Sequence, residues 1–267
     1  MLKNNESPVF LYGVTKRSYG EMMHSHHYHD DRFEIYYMVS GKCRYFINDK
    51  TYEITPGDIV LIPEGVIHKT DYNGEEHSRI LIECSRHFIP EDMRADIEKI
   101  GYLYRNLTAS ADVHRRLAEI EEEYRISDAY SQSALVAHMR LLFSVMLRNK
   151  NAVGTQPAKN TMIENIVSYV KEHYSSDVNL AAVAKANFVS PEHLCRTFKR
   201  HTGFGFNEFL TLVRLQQAEA MLKHRCGKSI SEIAYACGFN DSNYFSDKFR
   251  RTYGISPLKY SKQFSTD

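Results

Sequence analysis

The chain has 267 residues, 43% of them hydrophobic, with a formal net charge of +1, which fits two or three domains of ordinary size. No run approaches the roughly 18 unbroken apolar residues of a membrane helix, and the opening MLKNNESPVF has no apolar export signal, so a soluble cytoplasmic protein is expected. Five cysteines (Cys43, Cys84, Cys195, Cys226, Cys237) form no C-x-x-C pair; they read as reduced thiols, which argues against a zinc finger or a disulfide framework.

Residues 24 to 29 read HSHHYH and run directly into β-prone sequence. From Phe33 to Cys84 the runs FEIYYMVSG, CRYFIND, KTYEIT, IVLIPEG and RILIEC are short, β-branched or aromatic, and punctuated by Gly, Pro, Asn and Asp. That texture predicts an antiparallel sandwich or barrel over residues 1–90. Tyr36, Met38 and Phe46 are inward-facing by alternation, and such residues are more often plain core than pocket wall.

After Pro90 the period changes. Residues 91–107 read as helical, followed by DVHRRLAEIEEEYRI and SQSALVAHMRLLFSVMLRNK, with apolar residues three and four apart. Leu135, Met139, Leu142, Phe143 and Met146 share a face that either covers the barrel or packs against a second copy. Residues 91–148 are thus a helical region suited to dimerisation, and NKNAVGTQPAKN at 149–160 is a flexible linker.

Residues 161–267 are helical and mildly basic, with 14 Lys and Arg against 10 Asp and Glu, whereas the remainder has 20 against 23. One scheme occurs twice here: a short Ala-rich helix, a turn, a Ser or Asp N-cap, and a helix ending in Thr-Gly or Tyr-Gly. ANFVSPEHLCRTFKRHTG aligns without a gap on CGFNDSNYFSDKFRRTYG, placing Phe188 over Phe239, Leu194 over Phe245, Phe198 over Phe249 and Gly203 over Gly254. Each half has the layout of a helix-turn-helix, whose capped second helix enters the DNA major groove. A connecting helix near 206–223 would span about 27 Å, the order of the ~34 Å between successive major grooves on one duplex face.

The run SPEHLCRTFKRHTG, the connector with Arg214 and Ala218, and IAYACGFNDSNYFSDKFRRTYGISPLKY resemble the AraC/XylS family of bacterial transcriptional regulators over 161–262; Ser261 departs from the family's frequent Arg. The resemblance implies DNA contacts from Glu192, Cys195 and Arg196 in the first reading helix, and from Ser242, Asn243, Tyr244, Ser246 and Asp247 in the second. Arg196 is the foremost base reader, since a guanidinium can grip guanine O6 and N7 together. Lys199, Arg200, Lys248, Arg250 and Arg251 lie toward the helix ends, where they are either phosphate contacts or a solvated face.

The β-rich part resembles a cupin. His27-Tyr28-His29, Glu34 and Gly41 match its first motif, and Gly57, Pro63-Glu64-Gly65 and His68 its second, with Gly20 one residue out of place and Tyr72 where Asn is usual. His27 and His29, two apart, can face one way along a strand, with Glu34 and His68 arriving from neighbouring strands. The four suit either a divalent metal ion or a hydrogen-bonded effector; His24 and His26 form a competing pair.

The expected fold class is therefore multi-domain α and β: an N-terminal cupin-like β-barrel, a helical middle segment and a C-terminal all-α domain with two helix-turn-helix motifs. The implied function is a sequence-specific DNA-binding transcriptional regulator, in this family mostly an activator, controlled by a small-molecule effector such as a sugar. Its implied partners are promoter DNA, RNA polymerase and a second copy of the chain. The competing readings are a metal-dependent cupin enzyme, a dioxygenase or isomerase, with a DNA-binding appendage, and a DNA binder whose inert cupin serves only to dimerise.

Overall fold

A computed structural model describes residues 9–17, 32–72, 74, 76–105, 110–148, 161–224 and 227–264. The chain divides into two compact units, Met1–Ala158 and Lys159–Asp267. The 149–160 stretch expected to be a linker lies outside the described residues.

In the first unit the strands are β1 (Phe10–Arg17), β2 (Phe33–Ser40), β3 (Cys43–Ile47), β4 (Lys50–Ile54), β5 (Ile59–Ile62), β6 (His68–Asp71), β7 (His77–Cys84) and β8 (Leu103–Tyr104). They form a five-stranded sheet in the order β1-β7-β2-β5-β8 and a three-stranded sheet in the order β4-β3-β6. Every pairing is antiparallel.

Strand alternation sorts the side chains into two cores. Ile35, Tyr37, Ile59, Leu61, Ile80 and Ile82 face one way from the larger sheet, while Tyr36, Met38, Val60 and Ile62 face the other and meet Tyr45 and Ile47 of the smaller sheet. Strands buried on both faces read as nearly continuous apolar runs, which is why IVLI and EIYYM carry so few polar residues. Phe46 is buried, but it alternates with Tyr45 and Ile47 and so lies on the opposite face of β3 from the inner core, correcting the inward placement expected for it.

Short 3-10 turns at Arg86–Phe88 and Glu91–Met93 lead into α1 (Arg94–Ile100), followed by α2 (Ser110–Ile126) and α3 (Ser131–Arg148). The apolar face of α3 covers the larger sheet: Leu135, Met139, Leu142, Phe143 and Met146 join Val113, Leu117 and Ile120 of α2 over Ile35, Ile59 and Ile82. Burying each such side chain contributes about 1.5–3 kcal/mol. Of the two readings of that face, covering the barrel is the observed one, and the face is not available to a second copy.

The helical expectation for 91–107 fails after α1. Gly101, at φ 76°, ends the helix, and Leu103 and Tyr104 pair with Val60 and Ile59 as an edge strand. Arg105 then fixes this edge through paired hydrogen bonds to the buried Asp58, from Nε to Oδ1 at 2.7 Å and from Nη2 to Oδ2 at 2.5 Å.

The second unit is seven helices among the described residues: α4 (Thr161–His173), α5 (Leu180–Ala186), α6 (Pro191–Thr202), α7 (Phe206–Lys223), α8 (Ile230–Ala236), α9 (Ser242–Tyr253) and α10 (Pro257–Gln263). The caps fall where the duplicated scheme places them. The Ser190 hydroxyl accepts from the His193 N–H, the Asp241 carboxylate accepts from the Asn243 and Tyr244 N–H groups, and Gly203 and Gly254 end α6 and α9 in the left-handed conformation. Leu194 and Phe198, like Phe245 and Phe249, are fully buried as the core positions of the two halves.

The gapless alignment holds along these helices and breaks in the turns. Phe239 is 4% exposed, but Phe188, aligned with it, is 97% exposed. The left-handed residue of the first turn is Phe188 (φ 56°) and that of the second is Gly238 (φ 83°), one position earlier in the alignment, so the aromatic ring is turned outward in one half and inward in the other.

Candidate nucleic-acid interface and effector site

With Leu194 and Phe198 committed to the core, α6 turns Glu192, Cys195, Arg196, Lys199 and Arg200 outward, all exposed. Residues 192, 195, 196 and 199 share one face at helical spacing. On α9, Asn243, Tyr244, Arg250 and Arg251 are exposed, and Ser242, Ser246, Asp247 and Lys248 are half-buried.

Several of these groups are already engaged. The Glu192 carboxylate is held below its usual pKa by hydrogen bonds from its own backbone N–H and from the Ser190 hydroxyl, which ties it to the helix cap. Asp247 pairs with Arg251 at 3.0 Å, and the Lys248 ammonium lies 5.3 Å from the Tyr244 ring centroid. Lys199, Arg200, Arg250 and Arg251 sit in the last turns, where a cation also complements the helix dipole. Arg196, mid-helix and exposed, has the reach and the planar fork of a base reader.

His193 was absent from the expected set. It is exposed, and the duplication aligns it with Tyr244, a correspondence available in the sequence.

Both reading helices rest on α7. Phe198 meets Phe206 and Phe209 with ring centroids 5.5 and 5.7 Å apart, while Phe245 and Phe249 share a core with Leu215, Ala218 and Leu222. The 18 residues of α7 span about 27 Å.

Inside the first unit, Glu34 on β2 and His68 on β6 are each 2% exposed and approach across the sandwich from opposite sheets, not from neighbouring strands as the spacing suggested. The Tyr45 hydroxyl donates to Glu34 Oε1 at 2.6 Å, and Glu34 Oε2 lies 3.4 Å from His68 Nε2. His68 Nδ1 is 2.7 Å from the Val66 carbonyl oxygen. A carbonyl only accepts, so Nδ1 carries a proton, and what stands between Nε2 and the carboxylate is either a second proton or a cation. Burial lowers the His68 pKa, but the Glu34 carboxylate, together with the Val66 carbonyl and Glu83, more than offsets it, for a net upward shift that favours the imidazolium.

Arg79, 4% exposed, extends the cluster, with its guanidinium 5.5 Å from the Tyr36 ring centroid and 5.9 Å from that of Tyr72. Burial disfavours its charge, yet the surrounding tyrosines and Glu34 hold its pKa above the usual arginine value. The Tyr36 and Tyr72 hydroxyls are 3.1 Å apart, and the Tyr72 ring stacks on His77 with centroids 3.6 Å apart. Tyr45 and Arg79 were not among the expected site residues. Arg79 was legible as a charge alternating with Ile80 and Ile82 in a doubly buried strand.

His27 and His29, with His24 and His26, lie outside the described residues. Among the described residues no three metal-ligating groups converge. The two donors that are described fit a metal ion: their 3.4 Å separation is what two neighbouring tetrahedral ligands, each about 2.1 Å from the ion, would show.

The family profile of the AraC-like ligand binding domain matches residues 11–152, and that of a helix-turn-helix domain matches residues 183–263. The chain is 29% identical over 219 residues to the uncharacterized HTH-type transcriptional regulator YijO of Escherichia coli (strain K12), covering 79% of this chain and 75% of that one. It is 27% identical over 249 residues to the HTH-type transcriptional activator RhaS of Escherichia fergusonii, covering 86% and 85%. Among solved structures, ToxT of Vibrio cholerae aligns over 96% of this chain and 99% of its own at 19% identity, with a TM-score of 0.41.

Proposed function

The chain belongs to the AraC-like family of effector-controlled, helix-turn-helix transcriptional regulators, and on that premise we propose a specific division of labour. The helices α6 and α9 read two successive major grooves of promoter DNA, and the barrel interior around Glu34, Tyr45, His68 and Arg79 binds a small polar effector. Arg196 supplies the principal base contact, with Cys195 and His193 beside it. Ser242, Asn243, Tyr244 and Ser246 read the second element, and Lys199, Arg200, Lys248, Arg250 and Arg251 anchor on phosphates. The effector acts by binding one arrangement of the protein more tightly than the other.

The observation that carries this reading is the pair of capped helices with buried apolar faces and exposed polar ones, both packed on α7. Similarity to the RhaS transcriptional activators supports activation as the direction of control; contact with RNA polymerase, pairing with a second copy and action in the cytoplasm complete the proposal. The tyrosine-rich, hydrogen-bonding interior suits a sugar or another polyhydroxyl compound.

A divalent metal ion as the effector, or beside it, is a second reading favoured by the Glu34–His68 separation. His27, His29, Glu34 and His68 would hold it, and it would supply a fixed positive charge for an oxygen-bearing ligand. Elemental analysis of the purified full chain and its His68→Ala variant tests this; equal metal content in the two removes it.

Footprinting of the full chain on genomic fragments tests the main reading. Protection of two adjacent grooves on one duplex face supports it, and equal affinity for every fragment contradicts it.

A further inference from the structure

Arg214 joins the two reading heads. Half-buried on α7, it donates from Nε to the Tyr174 carbonyl at 2.8 Å and from Nη2 to the Ser176 carbonyl at 3.0 Å, in the turn between α4 and α5 of the first head. Its guanidinium lies 5.9 Å from the ring centroid of Phe239, in the turn that leads into α9 of the second head.

The backbone fits as closely at this point. A Cβ added to Gly238 would come within 2.7 Å of the Tyr174 carbonyl oxygen and 3.0 Å of both Arg214 Nε and the Ser175 Cα. Tyr174 itself packs against the core that holds Phe245 and Phe249. Burial pulls the Arg214 pKa below the usual arginine value, and the nearby Asp177 counters this only in part.

Apart from one long hydrogen bond, from the Tyr253 hydroxyl of α9 to the Leu215 carbonyl at 3.3 Å, the rest of the junction between α7 and α9 is apolar. Leu215, Ala218 and Leu222 against Phe245 and Phe249 set a distance between α7 and α9, but apolar contact is not directional. The two hydrogen bonds from the planar fork are directional; they hold the Tyr174–Ser176 turn on α7, and that turn abuts the backbone at Gly238, ahead of α9.

We propose that Arg214 is a positioning residue that fixes the rotational phase of α9 relative to α6, so that the protein accepts its two DNA elements at one spacing only. This inference rests on the DNA-binding reading given above. A rigid pair of heads gains avidity only when both elements fall in register.

The test uses the full chain and a site that the wild-type protein itself selects from random-sequence duplex. Three probes are compared: the selected site, the site with its second element scrambled, and the site with half a helical turn, about five base pairs, inserted between elements. The wild type should prefer the intact site over the scrambled one by about 100-fold and lose that preference on insertion.

Arg214→Ala should bind the scrambled site within about twofold of wild type, show a preference reduced by at least about tenfold, and respond less to insertion. Arg214→Lys keeps the charge without the fork, so it should resemble Arg214→Ala. Arg214→Gln, which retains a single donor nitrogen and loses the charge and the fork, serves if the alanine variant does not fold, as judged by circular dichroism. An unchanged preference and spacing profile in Arg214→Ala, or full restoration by Lys, overturns the inference while leaving DNA binding intact. A wild type that selects no site overturns the DNA-binding reading and this inference with it.

Discussion

Phe188 and Gly238 hold the same left-handed backbone conformation in the turns of the two reading heads, at φ 56° and 83°. A left-handed conformation costs a non-glycine residue about 1–2 kcal/mol, and Phe188 recovers nothing by burial because it is 97% exposed. Phe188→Gly should therefore stabilise the chain, less the 0.4–1 kcal/mol or so by which glycine loosens the unfolded state. The net gain is between zero and about 1.6 kcal/mol, read as a higher urea midpoint by far-ultraviolet circular dichroism. A lower midpoint would show that the ring holds something in place.

Gly238 and Gly254 share the left-handed conformation but not the surroundings. An added Cβ at Gly254 meets nothing within 4 Å, whereas at Gly238 it strikes the Tyr174 carbonyl oxygen at 2.7 Å. Gly254→Ala should cost about 1 kcal/mol from the backbone alone. Gly238→Ala should cost at least about 2 kcal/mol, because backbone must move as well. Equal losses in parallel urea titrations would contradict the close fit.

Tyr45 supplies the hydrogen bond to the buried Glu34 carboxylate at 2.6 Å. Removing its hydroxyl as Tyr45→Phe should destabilise the first unit by about 1.5–3 kcal/mol, the range for hydrogen bonds to charged groups. Glu34→Gln combined with Tyr45→Phe should cost less than the sum of the two singles, since the charge is then gone. Additive losses would mean that the pair is not coupled.

Burial pushes the Cys43 and Cys84 thiols up to about 12, and Cys237 is buried, whereas Cys195 stands exposed on α6. At neutral pH, iodoacetamide should label Cys195 in the native chain and spare the other three, as mapped by peptide mass spectrometry. Bound DNA should slow that labelling. Labelling of Cys195 at the same rate with and without DNA would place α6 away from the groove.

Much of this fold is legible locally. Alternation in EIYYM sorts β2 correctly, the 3-4 spacing in α3 marks its buried face, and the repeated caps at Ser190 and Asp241 mark the reading helices. What escapes depends on distant pairing. The strand at Phe10–Arg17 and the two-residue β8 have little pattern of their own, and they exist because β7 and β5 offer unpaired edges. Glu34 and His68 read as a spaced motif, yet their approach from opposite sheets, with Tyr45 and Arg79 completing the cluster, is set by how two sheets stack. The Phe188 turn escapes because the two halves align by identity there but differ by one residue in where the backbone reverses hand.

The most direct measurement is site selection from random duplex by the wild-type chain and by Arg196→Ala, under the same salt. Two reading heads on successive grooves should select two sequence elements about one helical turn apart. Arg196→Ala should relax preference at one position of the first element, with about 1–3 kcal/mol of discrimination lost there, and leave the second element unchanged. Selection of a single element by the wild type, or an identical selected site in the variant, would contradict the assignment of α6 and α9 as paired base readers.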